Sequence, residues 1–269
     1  MKLCRFQPLE FSAALITRDD TELRPATSYG LIEGERVLEI RSLFGRMEFT
    51  GRDWSLQDVR LLAPVEPSKI VCVGRNYAEH AAELGNEIPK EPLIFLKPPS
   101  SVIGPDEPII LPSISERVDY EGELAVVIGE RLHLPAEDED LRRYILGYTC
   151  LNDVTARDIQ KLDVQFTRGK SFDTFCPIGA VIETQLDVVS ATVETRVNGA
   201  CKQIGHIADM LFPIEVIIRW IARVMTLLPG DVIATGTPPG VGPLAAGDVV
   251  EVTIGGIGTL RNPVAAESD

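Results

Sequence analysis

The segment 121–128 constrains the fold most, because two glutamates are followed there by five consecutive apolar residues. Successive side chains of a β-strand point to opposite faces, so this apolar run predicts a strand buried on both faces of a sheet. Residues two apart share a face, which places Glu121 and Glu123 next to each other at the start of the strand. Two carboxylates at the edge of a dry sheet repel each other, unless one is protonated or a cation lies between them. The alternative is an exposed strand start with both glutamates in water.

The rest of the chain contains more strand-like segments than helical ones. Short apolar runs bounded by turn-forming residues predict strands at 13–17, 29–32, 36–40, 69–74, 92–97, 109–111, 122–128, 147–152, 231–234 and 248–254. A short helix is predicted after Asn76, which forms with Glu79 a pattern similar to a capping box, and this helix should end near Gly85. Apolar residues at helical spacing predict one longer helix over 214–228, opened by Pro213. The predicted fold class is therefore α+β, mainly β.

Two closely spaced prolines divide the chain into two predicted domains. Pro64 and Pro67 interrupt regular structure, so residues 63–67 are interpreted as a linker. Residues 1–65, with a polar turn at 19–20, are predicted to form a small β-rich N-terminal domain. Residues 66–269 form the second and larger predicted domain, which contains all the candidate site residues.

Composition argues against several classes of function. The chain has 26 Lys and Arg against 40 Asp and Glu, and the resulting net charge of −14 disfavours binding to nucleic acid. No apolar run approaches the ~18 residues of a membrane-spanning helix, and residues 1–15 lack a signal-peptide pattern. The five cysteines are widely spread and predict neither a disulfide framework nor a zinc site. We therefore expect a cytoplasmic protein with no nucleic-acid or membrane partner.

Three acidic residues are candidates for a metal site. Asp153 follows the predicted strand at 147–152 and adds a third carboxylate to Glu121 and Glu123. Oxygen ligands without histidine or cysteine favour Mg²⁺, Mn²⁺ or Ca²⁺ over zinc, and three of them leave positions for water and substrate. For Asp153 alone, the alternative role is to cap a helix N-terminus.

A histidine and a lysine are candidates for proton transfer and charge stabilisation. His80 and Glu83 are three residues apart on the predicted short helix, so their side chains face the same side. A carboxylate beside an imidazole raises its basicity, which suits a general base acting on water. Lys170 lies between apolar residues, where a semi-buried partner of an oxyanion is expected. For His80 and Glu83 the alternative is an ordinary surface pair. For Lys170 the alternative is a surface lysine whose charged end reaches the solvent.

Six motifs occur in a fixed order over residues 69–262. They are Gly74-Arg-Asn-Tyr-Ala-Glu-His80, Glu91-Pro92 through Lys97-Pro98, Glu121-x-Glu123, Asn152-Asp-Val-Thr-Ala-Arg-Asp-Ile-Gln160, Gly169-Lys-Ser-Phe-Asp-Thr-Phe-Cys-Pro177 and Pro229-Gly-Asp-Val-Ile through Gly242. In this order they resemble the fumarylacetoacetate hydrolase family. The resemblance implies a β-roll catalytic domain at 66–269, the small variable N-terminal domain of the bacterial members at 1–65, and a homodimer.

The resemblance also implies a role for each candidate residue. The matched ligands of Mg²⁺ or Mn²⁺ are Glu121, Glu123 and Asp153. The matched catalytic residues are His80 and Glu83, a water-activating pair on a lid that orders over the substrate, and Lys170, which stabilises developing negative charge. The matched substrate-binding residues are Arg75, Arg157, Gln160 and Thr237. One departure is Gly205-His206-Ile207, where many relatives have Gly-Asn-Thr, and it affects a nearby loop or dimer contact rather than the metal ligands.

The implied chemistry begins with a 2-oxo acid whose enolate is stabilised by the metal. We expect hydrolysis of C–C bonds in acylpyruvate-type 2,4-dioxo acids, because His80 with Glu83 suits the activation of water. The alternative is an isomerase, tautomerase or decarboxylase of 2-oxo dicarboxylates such as oxaloacetate or 2-hydroxyhepta-2,4-diene-1,7-dioate, which needs the same enolate without the water. A third hypothesis is a metal-stabilised binding protein. The presence of all three metal ligands together with the His80–Glu83 pair and Lys170 argues against it.

Overall fold

The computed structural model describes residues 1–9 and 27–267, so the strand predicted at 13–17 and the turn at 19–20 lie outside the described residues. The strands, in chain order, are β1 Lys2–Pro8, β2 Ser28–Glu33, β3 Arg36–Ile40, β4 Phe49–Ser55, β5 Val59–Leu61, β6 Ile70–Gly74, β7 Leu93–Lys97, β8 Val102–Ile103, β9 Ile109–Leu111, β10 Val118–Tyr120, β11 Gly122–Ile128, β12 Ile145–Asn152, β13 Thr155–Ala156, β14 Cys176–Pro177, β15 Val181–Glu183, β16 Thr192–Val197, β17 Ala200–His206, β18 Val232–Ala234, β19 Gly242–Pro243, β20 Val249–Ile254 and β21 Gly258–Ala266. The α-helices are α1 Ala78–Glu83, α2 Arg157–Leu162, α3 Thr167–Lys170 and α4 Ile214–Val224. The predicted α+β, mainly β class is confirmed.

Most of the strands belong to two large sheets. One has eleven strands in the order β4-β3-β2-β1-β15-β12-β11-β18-β6-β7, with β5 paired to β1 beside this path. The other has five strands in the order β17-β16-β20-β21-β9. Two smaller sheets, β13-β10-β19 and β14-β8, are formed by strands between residues 102 and 243. Most of the candidate site residues lie in the same part of the chain.

The strand β11 is buried on both faces, as its apolar run predicts. It pairs with β12 on one side and β18 on the other, so it lies in the interior of the eleven-stranded sheet. Leu124, Val126 and Ile128 belong to a core cluster that also contains residues of α4 and of the five-stranded sheet. Ala125 and Val127 belong to a second cluster on the opposite face. Burial on both faces stabilises β11 in the sheet, and its ladders with β12 and β18 set its register and with it the position of the two glutamates at its start.

The longer helix begins as predicted but ends earlier. Five residues of α4 are buried, which confirms the apolar stripe of the sequence pattern. The helix stops at Val224 instead of 228, and Met225 is already extended at φ −148° and ψ 152°. Leu227 leaves the helix to form a backbone bridge with Leu132, where it is fully buried. A tertiary contact therefore overrides the helical spacing at this end.

The predicted capping box at the short helix is wrong. The helix α1 begins at Ala78 with Tyr77 at its N-cap, and no side chain caps it. The buried side chain of Asn76 instead donates to the carbonyls of Phe212 and Thr235 and accepts from the Phe212 N–H. These partners are distant in sequence, so Asn76 ties the start of the helix to two other segments of the chain.

The N-terminal strands extend the same sheet that carries β11. The strand β1 pairs antiparallel with β15, which in turn pairs with β12. The connection 62–69 contains no helix or strand, and within it Ala63 and Val65 are buried. This connection is therefore packed against the protein, and the division of the chain at residue 65 stays a prediction. No helix in the described ranges is long and apolar enough to cross a membrane.

Candidate active site

Three carboxylates meet where the ends of β10, β11 and β12 come together. The register pairs Gly122 with Asn152, and the Asp153 N–H donates to the Glu121 carbonyl at 2.8 Å. One oxygen each from Glu121, Glu123 and Asp153 lies within 4.8 Å of the others. Their exposed fractions are 5%, 2% and 1%, so the alternative hypothesis of a strand start with both glutamates in water is wrong. The N-cap role of Asp153 is also wrong, because α2 begins at Arg157 with Ala156 at its N-cap.

The backbone between the two glutamates is held from both sides. A Cβ on Gly122 would lie 2.1 Å from the Thr195 hydroxyl, so only glycine fits there. The Thr237 hydroxyl donates to the Gly122 carbonyl at 2.8 Å, and Gln203 accepts from the Gly122 N–H at 3.0 Å. Gln203 also donates to the Thr237 hydroxyl at 2.8 Å. Thr237 therefore fixes the strand carrying the carboxylates, and its predicted contact with substrate stays a prediction.

Two buried lysines bind the carboxylates directly. Lys170 Nζ donates to Glu121 Oε2 at 2.8 Å and to Asp153 Oδ2 at 2.6 Å. Lys97 Nζ donates to Asp153 Oδ1 at 2.6 Å and to the Val154 carbonyl at 3.0 Å. The exposed fractions of Lys170 and Lys97 are 2% and 1%, so the hypothesis that Lys170 reaches the solvent is wrong. Lys97 was not among the site residues predicted from the sequence, although it stands at the end of an apolar strand within one of the six motifs.

Arg157 extends this network of ion pairs from Glu121 to Asp119 and Gln160. Its guanidinium donates to Asp119 Oδ2 at 2.8 Å, to Glu121 Oε1, and to Gln160 Oε1 at 2.7 Å. Arg117, whose side chain is 48% exposed, forms a bidentate pair with the same Asp119. Arg157 therefore orients both Glu121 and Gln160.

The electrostatic surroundings differ between the two glutamates. Burial alone would raise the pKa of Glu121, but the charges of Lys170 and Arg157 outweigh it and hold this pKa far below its usual range. Burial, reinforced by the charges of Asp153 and Glu121, raises the pKa of Glu123 well above its usual range. Within the described residues, Glu123 has no cationic partner and accepts only the Gly236 N–H, at 2.8 Å. A divalent cation held by these three oxygen donors relieves that repulsion, so the donor set fits Mg²⁺, Mn²⁺ or Ca²⁺.

His80 and Glu83 face the same space from the helix α1. His80 Nδ1 lies 3.4 Å from Glu83 Oε2, and the Gly240 N–H donates to both oxygens of Glu83, at 3.1 and 3.2 Å. The His80 side chain is 6% exposed and that of Glu83 is 34% exposed, so this is not an ordinary surface pair. A hydrogen bond from Nδ1 to Glu83 leaves the other ring nitrogen, Nε2, free to accept a proton.

A single cavity of about 580 Å³ brings the candidate residues together. All ten predicted site residues line it: Arg75, His80, Glu83, Glu121, Glu123, Asp153, Arg157, Gln160, Lys170 and Thr237. Arg117, Lys161 and Phe166 also line it and were not predicted. The cavity thus joins a buried ionic cluster to a histidine, while the role of each residue stays a prediction.

Arg75 and the segment 205–207, which departs from the family pattern, differ in their surroundings. Arg75 is half-buried at the cavity and has a φ of 57°, a left-handed conformation that costs a bulky residue energy. Its guanidinium has no hydrogen bond or ion pair in the described part of the chain. In the departing segment, His206 is exposed whereas Ile207 is buried in the core cluster that contains α4.

Comparison with known proteins agrees with this fold. Residues 69–265 match the family described as fumarylacetoacetate (FAA) hydrolase C-terminal, and residues 19–64 match the family Rv2993c-like, N-terminal. The chain therefore belongs to the fumarylacetoacetate hydrolase family, which confirms the resemblance found in the sequence.

Individual relatives cover most of the chain. Protein Rv2993c of Mycobacterium tuberculosis is 53% identical over 225 residues, which are 82% of this chain and 84% of the relative. The oxaloacetate tautomerase YisK of Bacillus subtilis is 45% identical over 228 residues, which are 78% of this chain and 75% of the relative. The crystal structure of 2-hydroxyhepta-2,4-diene-1,7-dioate isomerase from Mycobacterium marinum superimposes with a TM-score of 0.87 at 44% identity and covers 100% of both chains.

Proposed function

We propose that this enzyme binds a divalent cation and interconverts the keto and enol forms of a 2-oxo dicarboxylate, with oxaloacetate as the representative substrate. The observation that carries the proposal is a single buried histidine facing three carboxylates and a lysine across one cavity. Keto–enol exchange needs one base and a stabilised enolate, and this arrangement provides a group for each. The similarity to an oxaloacetate tautomerase and to a dienedioate isomerase favours this reaction over the predicted hydrolysis.

The proposed reaction gives a separate role to the cation ligands, the base, its partner and a lysine. Glu121, Glu123 and Asp153 would hold the cation, which when bound supplies Lewis-acid stabilisation of negative charge on the 2-oxo group. His80 Nε2 accepts the proton from C3 of the substrate as the C2–C3 double bond forms, and it returns a proton in the reverse direction. Glu83 holds Nδ1 and stabilises the imidazolium that results. Lys170, already fixed between Glu121 and Asp153, adds positive charge close to the oxyanion.

Arg75 supports a substrate with a second carboxylate. It is a half-buried cation at the cavity whose guanidinium has no partner among the described residues. A carboxylate forms strong charge-assisted hydrogen bonds with such a group. We therefore infer that Arg75 binds the distal carboxylate, which places dicarboxylates ahead of simple acylpyruvates.

Hydrolysis of acylpyruvates is the second candidate function. The pair of His80 and Glu83 supports it, because an imidazole oriented by a carboxylate also activates water. The cavity of about 580 Å³ has room for an acyl chain and a water beside the 2-oxo acid. Decarboxylation of oxaloacetate uses the same enolate, so it is assayed together with the other two reactions.

Proton NMR with Mg²⁺ and either oxaloacetate or acetylpyruvate separates these reactions. The proposal predicts that the protein accelerates enol–keto exchange of oxaloacetate and releases no fragments. Acetate plus pyruvate from acetylpyruvate would establish hydrolysis, and pyruvate from oxaloacetate would establish decarboxylation. Binding of either acid without any acceleration would support the binding-protein hypothesis and reject the proposal.

The homodimer and the cytoplasmic location implied by the sequence stay predictions. Analytical ultracentrifugation of the purified protein tests the first, and a mass of twice 29.4 kDa is the expected result.

A further inference from the structure

The ionic cluster beneath the cavity contains as many positive side chains as negative ones. Its carboxylates are Asp119, Glu121, Glu123 and Asp153, and its cations are Lys97, Arg117, Arg157 and Lys170. Seven of these eight side chains are almost fully buried, and Arg117 is half-exposed. Counted with every group ionised, the cluster has no net charge before any cation enters it.

Lys97 contributes to this balance from behind the carboxylates. It is 1% exposed, and it is absent from the described residues that line the cavity. Its Nζ donates to Asp153 Oδ1 at 2.6 Å, on the oxygen opposite to the one that Lys170 binds. The buried thiols of Cys72 and Cys176 lie near it and offer no negative charge, because burial raises the pKa of both. Lys97 therefore acts on the site through Asp153 and through its own positive charge.

This balance has a consequence for a cation that enters alone. Cation binding requires the three ligand carboxylates in their ionised form. With these carboxylates ionised the cluster is neutral, so a divalent cation leaves it with two uncompensated positive charges, and such a state is costly at low dielectric. The enolate of a 2-oxo dicarboxylate presents two negative charges to the cation, one on its 1-carboxylate and one on the enolate oxygen, while its distal carboxylate is the one assigned above to Arg75. Cation and dianion together restore neutrality, whereas either one alone does not.

We propose that Lys97 is a positioning residue and internal counter-ion that makes binding of the cation depend on a dianionic ligand. The inference rests on the proposed function, because the natural dianionic group is the chelating end of the enolate of that reaction, its 1-carboxylate and its enolate oxygen. The positive charge of Lys97 opposes the cation in the ligand-free site, and it helps to retain the dianion when both are bound. By thermodynamic linkage, the dianion raises the affinity for the cation by the same factor as the cation raises the affinity for the dianion.

Calorimetric titration with Mn²⁺, with and without oxalate, tests this inference. Oxalate is a stable dianion with two chelating oxygens in the arrangement of the enolate. We expect oxalate to raise the Mn²⁺ affinity of the unchanged protein by about tenfold or more. Lys97→Gln keeps a hydrogen-bond donor and loses the charge, so Mn²⁺ alone should bind it about tenfold tighter or more. The enhancement by oxalate should shrink in the same variant, and Lys97→Arg should restore both values.

Two further variants serve as controls. Lys69→Gln breaks an ion pair with the buried Asp231, and neither residue lines the described cavity, so Mn²⁺ affinity should not change. Arg117→Gln removes a half-exposed charge of the cluster, so it should tighten Mn²⁺ binding by a smaller factor than Lys97→Gln. Melting curves establish that each variant is folded before the titration.

A folded Lys97→Gln protein that binds Mn²⁺ no tighter than the unchanged protein would overturn the inference. If Lys97→Gln does not fold, the unchanged protein decides instead, because a Mn²⁺ affinity that oxalate leaves unchanged overturns the inference. These are binding measurements without turnover, so they remain distinct from the test of the reaction. If oxalate raises the Mn²⁺ affinity but the protein does not accelerate enol–keto exchange, the proposed function is rejected and the role of Lys97 is kept. If the protein accelerates the exchange but oxalate does not change the Mn²⁺ affinity, only the role of Lys97 is rejected.

Discussion

The two sides of the cavity are built differently. The floor, defined as Glu121, Glu123, Asp153 and Lys170 with Lys97 behind them, is almost fully buried. Its two lysines donate to Glu121 and Asp153 at 2.6 to 2.8 Å. The lid pair, His80 and Glu83, stands on a helix of six residues and has contacts of 3.1 to 3.4 Å. Short charge-assisted bonds in a dry site fix the floor in advance, whereas the longer contacts leave the lid pair room to adjust.

This difference separates two tasks. A rigid arrangement of charges suits the holding of a cation and the stabilisation of an enolate, since it needs no reorganisation during the reaction. A base has to follow a proton from carbon to nitrogen, and a short helix with a half-exposed glutamate permits small movements. Variants of the floor should therefore change cation affinity, and variants of the lid pair should change rate alone.

Glu123→Gln is expected to have the largest effect. It removes one of three oxygen ligands and keeps the shape of the side chain, so Mn²⁺ binding and keto–enol activity should both fall below detection. The metal-free variant should melt at the same temperature as the unchanged protein or higher, because Glu123 is buried without a cationic partner among the described residues and its pKa is raised. Unchanged Mn²⁺ affinity by calorimetry would contradict the ligand assignment.

His80→Ala should have the next largest effect, and it should act on rate alone. Loss of a general base lowers the rate by roughly 100- to 10,000-fold. Mn²⁺ affinity should remain that of the unchanged protein, because His80 contacts Glu83 rather than the carboxylates of the floor. Enol–keto exchange followed by NMR measures the rate, and full activity in this variant would show that another group moves the proton.

Arg75→Gln should change selectivity more than rate. Loss of one charge-assisted contact costs about 1.5 to 3 kcal/mol, so KM for oxaloacetate should rise by about tenfold or more. Enolisation of acetylpyruvate, which lacks the second carboxylate, is the matched control and should keep its KM. An equal rise in KM for both acids would mean that Arg75 does not bind the distal carboxylate.

Glu83→Gln should have the smallest effect of the four variants. The amide oxygen still accepts from the Gly240 N–H, but it no longer offers a negative charge to the imidazolium. A fall of about tenfold in kcat with unchanged Mn²⁺ affinity is expected. A change in Mn²⁺ affinity without a change in kcat would remove the distinction between floor and lid pair.

The sequence predicted the centre of this site because its residues stand at the ends of recognisable strands. The apolar run at 124–128 predicted β11, and the two-residue spacing predicted the adjacent positions of Glu121 and Glu123. The structure confirms both. Asp153 follows another predicted strand directly, so antiparallel pairing of the two strands is enough to bring it beside the glutamates. The run is apolar on both faces, so it predicts a buried strand but not its register, which the ladders with β12 and β18 set.

Other features depend on contacts that local sequence does not specify. Lys97 binds a carboxylate 56 positions away, and nothing in its own strand indicates that partner. Asn76 was assigned to a helix cap because its neighbours allow one, yet its partners lie 136 and 159 positions further on. The early end of α4 likewise follows from the bridge between Leu132 and Leu227. In each case a contact between segments far apart in the chain decides the local structure, and the neighbouring residues do not indicate the partner.

The central claim is that Glu121, Glu123 and Asp153 together hold a divalent cation below His80. Anomalous scattering from a crystal grown with Mn²⁺ tests it most directly, because it locates the metal without any assumption about the reaction. We expect one strong peak bounded by oxygens of these three carboxylates, with coordination positions open toward the cavity. A well-ordered crystal that gives no peak there, or a peak held by other residues, would contradict it.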